Sequence, residues 1–222
     1  MEVIDIRAVL FDFDGTLANT LPLCIHAFQV VFNTFDKCDL SAEKVKAMFG
    51  PSETGIIRKN LKHEEKEQAI ELYYTIYENK HHQFVHVNHE IDGLISFLKE
   101  HGVKLGIVTG KARRSLDISL KVLGMEGKFD VIITGDDVIK PKPDPEGIFT
   151  ALQRLGEEPE DSIFLGDSDA DIMAGLKANI YTAGVHWLPD GQTKEFSIIP
   201  DSAFLTVDEF WDFLKLGVLN ER

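Results

Sequence analysis

The sequence has little cysteine, a deficit of positive charge, and no apolar run long enough to cross a bilayer. Its 222 residues include 2 cysteines, Cys24 and Cys38. Neither belongs to a C-x-x-C pair, so a disulfide framework, a structural zinc site and a dithiol redox motif are not indicated. Both thiols are expected to be buried, in a reducing compartment. Lys and Arg total 23 against 37 Asp and Glu, a formal net charge of -14. A field of that sign repels phosphate backbones and anionic lipid, which disfavours nucleic-acid and membrane partners. The first apolar run, Val9-Leu10-Phe11, is broken at once by Asp12 and Asp14, so a signal-peptide core is not expected. These absences predict a cytoplasmic protein. No internal repeat or low-complexity tract is present.

What remains is the balance of a globular chain, 44% hydrophobic and 27% charged, long enough for one core domain carrying a modest insertion. Short β-rich apolar runs at 7–11, 104–109, 130–134, 162–166 and 180–183 read as buried parallel strands. From about residue 90 they alternate with helical patterns such as Ile148, Phe149, Leu152 and Leu155, or Val207, Phe210, Trp211 and Leu214. That alternation predicts an α/β fold with a doubly wound parallel sheet. Residues 17–87 break the rhythm, with helical patterns at Cys24, Phe28, Val31, Phe32 and Phe35 and at Ile70, Tyr73, Tyr74 and Tyr77. The expected organisation is therefore a core of residues 1–17 and 87–222 with an all-helical cap inserted at 18–86. Beginning just after the first strand, the cap would hang over the strand ends, where open α/β sheets place their ligands.

Three strands end in polar groups of complementary chemistry: Asp12-Phe13-Asp14-Gly15-Thr16, Thr109-Gly110-Lys111, and Gly166-Asp167-Ser168-Asp169-Ala170-Asp171. Between the last two lies Lys140-Pro141-Lys142-Pro143-Asp144, a loop stiffened by prolines. Carboxylates crowded together repel by roughly 4 kcal/mol per pair at about 4 Å and an effective dielectric near 20, so a cation is needed to hold them ionised. All-oxygen ligands favour Mg²⁺.

These four motifs, in this order and spanning nearly the whole chain, resemble the haloacid dehalogenase-like (HAD) hydrolase superfamily, and within it the phosphatase branch with a helical cap, phosphoglycolate phosphatase-like. The resemblance implies that Asp12 is the nucleophile forming an aspartyl-phosphate and Asp14 the acid and base. It implies that Thr109 and the Gly110 backbone hold phosphoryl oxygens and that Lys140, the first lysine of its motif, neutralises charge. Mg²⁺ would be held by the Asp12 carboxylate, the Asp14 backbone carbonyl and Asp167, with Asp171 orienting Lys140 or metal-bound water.

The implied activity is Mg²⁺-dependent hydrolysis of a small phosphomonoester. The alternatives are a phosphomutase of the β-phosphoglucomutase type and a non-catalytic regulatory protein binding phosphorylated ligands. Helically capped mutases carry an arginine in the cap turn, where this chain reads Gly50-Pro51-Ser52-Glu53, which weakens the mutase reading. A regulatory protein would be expected to lose one of Asp12, Asp14, Lys140 or Asp167, and all four are present. Glu53 and Arg58 are the candidates for substrate specificity. The partner is then a small phosphorylated metabolite and the protein a monomer or weak homodimer. The histidines at 81, 82, 86 and 89 match no zinc spacing and read as an exposed strap between cap and core.

Overall fold

A computed structural model describes residues 6–217; the outermost residues of the expected core, 1–5 and 218–222, lie outside the described residues. Six parallel strands form one sheet: β1 (Ala8–Phe11), β2 (Lys104–Val108), β3 (Val131–Ile133), β4 (Ser162–Gly166), β5 (Tyr181–Val185) and β6 (Ser202–Phe204), in the order β3-β2-β1-β4-β5-β6. Strand β1 lies at the centre because all of its residues are buried and apolar, as a strand covered on both faces requires. Alternation along it sends Val9 and Phe11 to one face and Ala8 and Leu10 to the other.

On the first face pack α5 (His89–Glu100), α6 (Arg113–Val122) and α9 (Val207–Gly217), through Ile91, Leu94 and Leu98, Leu116 and Leu120, and Phe210 and Leu214. On the second pack α7 (Glu146–Leu155) and α8 (Asp169–Ala178), through Ile148, Leu152 and Ala174. The sheet is thus doubly wound, as expected. The five expected strands are present within a residue or two of their ends. The sixth, Ser-Ala-Phe at 202–204, went unread because three residues on a sheet edge carry no periodicity.

Between β1 and α5 the chain forms only helices: α1 (Leu21–Asp36), α2 (Ala42–Lys46), α3 (Glu53–Asn60) and α4 (Lys66–Phe84). Helices α1 and α4 pack along the stripes read from sequence, with Phe28 against Tyr73 at 4.7 Å between ring centroids. Two sequence expectations need correcting here. Cys24 is buried but Cys38 is exposed, lying just past α1. The histidine stretch is not wholly an exposed strap. Helix α4 continues to Phe84, so His81 is buried and its Nε2 lies 2.9 Å from Ser119 Oγ on α6, which Tyr77 also reaches at 2.8 Å. This polar triplet ties α4 to the sheet-packed α6. No described helix is long and apolar enough to cross a membrane.

Candidate active site

The strand order reverses direction between β1 and β4, and the crevice beyond their carboxyl ends is where such sheets bind ligands. Asp12 follows β1 there and Asp167 follows β4. Their close approach depends on Gly15, whose φ of 86° suits glycine and whose missing Cβ would overlap the Asp167 carboxylate. After Asp12 the chain turns sharply, Leu17 and Ala18 N–H both donating to the Phe13 carbonyl at 3.0 Å. The turn re-aims Asp14 away from Asp12. Its carboxylate accepts from the Thr20 hydroxyl and lies 3.1 Å from the Lys111 ammonium.

Asp12, Asp167 and Asp171 are all buried, and each offers an oxygen within 4.8 Å of the others. Burial, opposed by Lys142 and reinforced by Asp171, raises the Asp12 carboxyl to about 6. Burial, then the charges of Asp171 and Asp12, raises Asp167 well above the carboxylate range. One Asp167 oxygen accepts from the Gln192 N–H at 2.6 Å, while the other, Oδ1, is buried without a hydrogen-bond partner. An orphaned carboxylate oxygen among two further carboxylates is the donor set of a hard divalent cation, so these residues fit one. Asp171 is fixed by a reciprocal cap at the start of α8, accepting from the Ser168 N–H at 3.0 Å and hydroxyl at 2.6 Å.

The lysine in this cluster is Lys142, not Lys140. Lys142 Nζ lies 2.8 Å from Asp12 Oδ1, 2.5 Å from Asp171 Oδ1 and 3.2 Å from the Val108 carbonyl. Burial opposes its charge, but the two aspartates outweigh that and hold it protonated above the usual lysine range. Lys140 is exposed because the N–H groups of Ile139 and Lys140 are bound by the Glu146 carboxylate at 2.8 and 3.0 Å, which pins that part of the loop outside the crevice. Asp171 accordingly pairs with Lys142 rather than Lys140.

Thr109 is buried at the end of β2 beside Gly110, and both line a cavity of ≈ 300 Å³ together with Asp12, Asp14 and Lys142. The roof comes from the helical segment, including Phe49, Gly50, Pro51, Glu53 and Ile56. Glu53 is buried as a fastening between segments. It accepts from Lys111 Nζ at 3.2 Å, the Ala112 N–H at 2.5 Å and the Ser115 hydroxyl at 2.5 Å, so a residue of α3 caps the start of α6. Arg58, by contrast, is exposed and paired with Glu67 at 3.1 Å on the outer surface, and it does not line the cavity. The turn at 50–53 that carries Glu53 therefore reaches the cavity and Arg58 does not.

Sequence reasoning gave no role to Lys111, whose ammonium is sealed among Asp14, Glu53, Cys24 and the face of Tyr77, 4.5 Å from the ring centroid. Its place two residues after Thr109 was the available signal. Thr20, which anchors Asp14, and Gln192 and Thr193, which hold Asp167 from a loop 25 residues downstream, had none.

Residues 9–185 match the family model described as haloacid dehalogenase-like hydrolase. A curated relative, the pyrophosphatase PpaX of Bacillus pumilus, is 36% identical over 196 residues, 88% of this chain and 90% of that protein. Among solved structures, CbbY from Rhodobacter sphaeroides in complex with phosphate superposes with a TM-score of 0.81 at 24% identity, covering 96% of this chain and 97% of that one. The β-phosphoglucomutase of Clostridium difficile does so with a TM-score of 0.77 at 20% identity, over 95% and 96%. The chain belongs to the haloacid dehalogenase-like hydrolase family, and within it is a hydrolase of the phosphatase type.

Proposed function

We propose that the protein is a Mg²⁺-dependent phosphatase that hydrolyses a small phosphorylated compound through an aspartyl-phosphate on Asp12. The observation that carries this reading is the pairing of buried Asp12 with Lys142 beside the carboxylates of Asp167 and Asp171. A carboxylate that attacks an anionic phosphoryl group needs positive charge on both partners, and Lys142 supplies part of it. Asp12 attacks phosphorus, the P–O bond to the leaving group breaks, and Asp14 gives that oxygen its proton. Asp14 then takes a proton from the water that cleaves the acyl-phosphate, releasing orthophosphate and restoring Asp12. Thr109 and the Gly110 N–H hold the phosphoryl oxygens. Asp12, Asp167 and the Asp14 backbone carbonyl would hold Mg²⁺, with Asp171 beside them. Bound there, the cation would neutralise the carboxylates and polarise the phosphoryl group.

Residues 18–86 serve as a cap that covers the strand ends and selects the substrate, and the core of residues 1–17 and 87–222 carries the chemistry. A cavity of ≈ 300 Å³ suits a small substrate. Relatives about a third identical over nearly the whole chain are named pyrophosphatases, which supports pyrophosphate as the first compound to assay. Its P–O–P anhydride is cleaved by the same steps as a phosphomonoester.

The test is phosphate release from a panel of phosphorylated metabolites and pyrophosphate. Turnover is expected with Mg²⁺ and none after chelation; release that persists in excess chelator contradicts the reading. The fold itself supplies a second readout. Because Asp167 is buried with an unpartnered oxygen, saturating Mg²⁺ is expected to raise the melting temperature by roughly 5–10 °C, the equivalent of about 2–3 kcal/mol. Asp167→Asn is expected to melt higher than wild type without metal and to lose most of the Mg²⁺ increment. An undiminished increment in Asp167→Asn removes that residue from the metal site.

A further inference from the structure

Three lysines line the cavity, and two have carboxylate partners: Lys142 with Asp12 and Asp171, Lys111 with Asp14 and Glu53. The third is Lys46, the last residue of α2. Its ammonium donates to the Gly191 carbonyl oxygen at 2.8 Å and forms no ion pair among the described residues. The cavity it lines carries the apolar side chains of Leu21, Phe28, Phe49 and Ile56 as well as the acids Asp14, Glu53 and Asp169. A half-buried ammonium whose one hydrogen bond is to a neutral carbonyl, with exposed Glu43 of its own helix as the acid whose charge reaches it, would gain from exchanging that dipole for a full negative charge. The net charge of -14 makes such a local cation more consequential, since the field of the whole chain opposes a multiply charged substrate.

Lys46 comes from the helical segment, whereas Asp12, Thr109 and Lys142 come from the sheet end of the cavity. With the transferred phosphoryl group against Asp12, the leaving group extends toward the helical segment that carries Lys46. We propose that Lys46 binds an anion on the leaving group and so selects phosphate compounds whose leaving group carries a second phosphate or a carboxylate. This assignment rests on the reading of Asp12 as the nucleophile. It makes Lys46 the specificity-determining residue that Arg58, turned outward, is not.

The experiment compares wild type, Lys46→Gln and Lys46→Arg with Mg²⁺ on three substrates: pyrophosphate, 2-phosphoglycolate, and β-glycerophosphate, whose leaving group is uncharged. For Lys46→Gln, kcat/KM on an anionic-leaving substrate is expected to fall at least about tenfold further than on β-glycerophosphate, mostly through KM, and Lys46→Arg is expected to recover most of it. Which of pyrophosphate and phosphoglycolate shows the loss tells phosphate from carboxylate. Calorimetric binding of imidodiphosphate, a P–N–P analogue resistant to hydrolysis, is expected to weaken in Lys46→Gln by a larger factor than binding of orthophosphate.

A parallel loss on all three substrates, with unchanged analogue selectivity, overturns the proposal and leaves Lys46 as a fastening to the Gly191 loop. That outcome leaves the phosphatase reading intact. Conversely, analogue binding that depends on Lys46 in a protein releasing no phosphate from these substrates or the wider panel shows an anion site at Lys46, overturns the phosphatase reading and with it overturns the assignment of that anion to a leaving group.

Discussion

Asp12→Asn is expected to fold as the wild type does and to release phosphate at least about 10³-fold more slowly. The substitution changes almost nothing in shape. The residue is 1% exposed, an amide occupies nearly the volume of the carboxylate, and its oxygen can still accept from Lys142. What it removes is the nucleophile and one of the charges gathered at the strand ends. Asp12 is raised to about 6 chiefly by burial, so its ionised form costs stability in the absence of a cation. Relieving that cost is expected to leave the metal-free melting temperature equal to or above that of wild type. Phosphate release and thermal melting on the same preparation check both halves, with mass spectrometry to exclude deamidation back to Asp. Turnover near the wild-type rate in an intact, folded Asp12→Asn protein would falsify the nucleophile assignment. A large loss of stability would instead mean that the Asp12–Lys142 pair is a structural tie.

Much of this architecture was legible because parallel strands covered on both faces must be continuously apolar, and here they end abruptly in charge. Val9-Leu10-Phe11 followed by Asp12 locates both a buried strand and the point where it meets the crevice. The same contrast at Val108-Thr109 and Gly166-Asp167 placed the other two polar ends, and the structure brings them together. In the inserted segment α1 and α4 were legible from their stripes; the short α2 and α3, and how the helices dock, were not. Docking is set by single polar contacts between residues distant in sequence, such as Glu53 on the start of α6 or His81 on Ser119. Glu53 stood in the sequence as a candidate for substrate specificity, and its fastening of α3 to α6 is visible only from its three donors. The loop at 186–193 was illegible for the same reason. It has no periodicity, yet its Gln192 N–H holds Asp167 and its Gly191 carbonyl holds Lys46. Arg58 shows the converse, an isolated cation that drew attention by its charge and is spent on a surface pair with Glu67, worth little in water.

The lysines of the 140–144 loop separate motif reading from geometry most sharply, and their variants are expected to diverge. Order along the chain offers two lysines one residue apart across Pro141, and nothing in composition ranks them. Backbone anchoring does, because Glu146 holds the Ile139 and Lys140 N–H groups and turns Lys140 outward, leaving Lys142 to enter between β2 and Asp12. Lys140→Ala is therefore expected to keep turnover within about twofold of wild type, as a surface change far from the reacting atoms. Lys142→Met is expected to lower kcat by about 10²- to 10³-fold, the scale of removing one preorganised charge from a buried transition state. It also leaves Asp12 and Asp171 facing each other without their shared cation, so its melting temperature should fall, and the assay belongs at a temperature where the variant is shown to be folded. Lys142→Arg keeps the charge but brings a planar, longer group into a space where one nitrogen serves three oxygens within 3.2 Å. Arginine is accordingly expected to restore stability more than turnover. The comparison is decided by which alanine or methionine variant loses phosphate release at equal folded fraction. Loss in Lys140→Ala with retention in Lys142→Met would mean that the loop re-sets during turnover and that the pairing of Lys142 with Asp12 belongs to the resting protein alone.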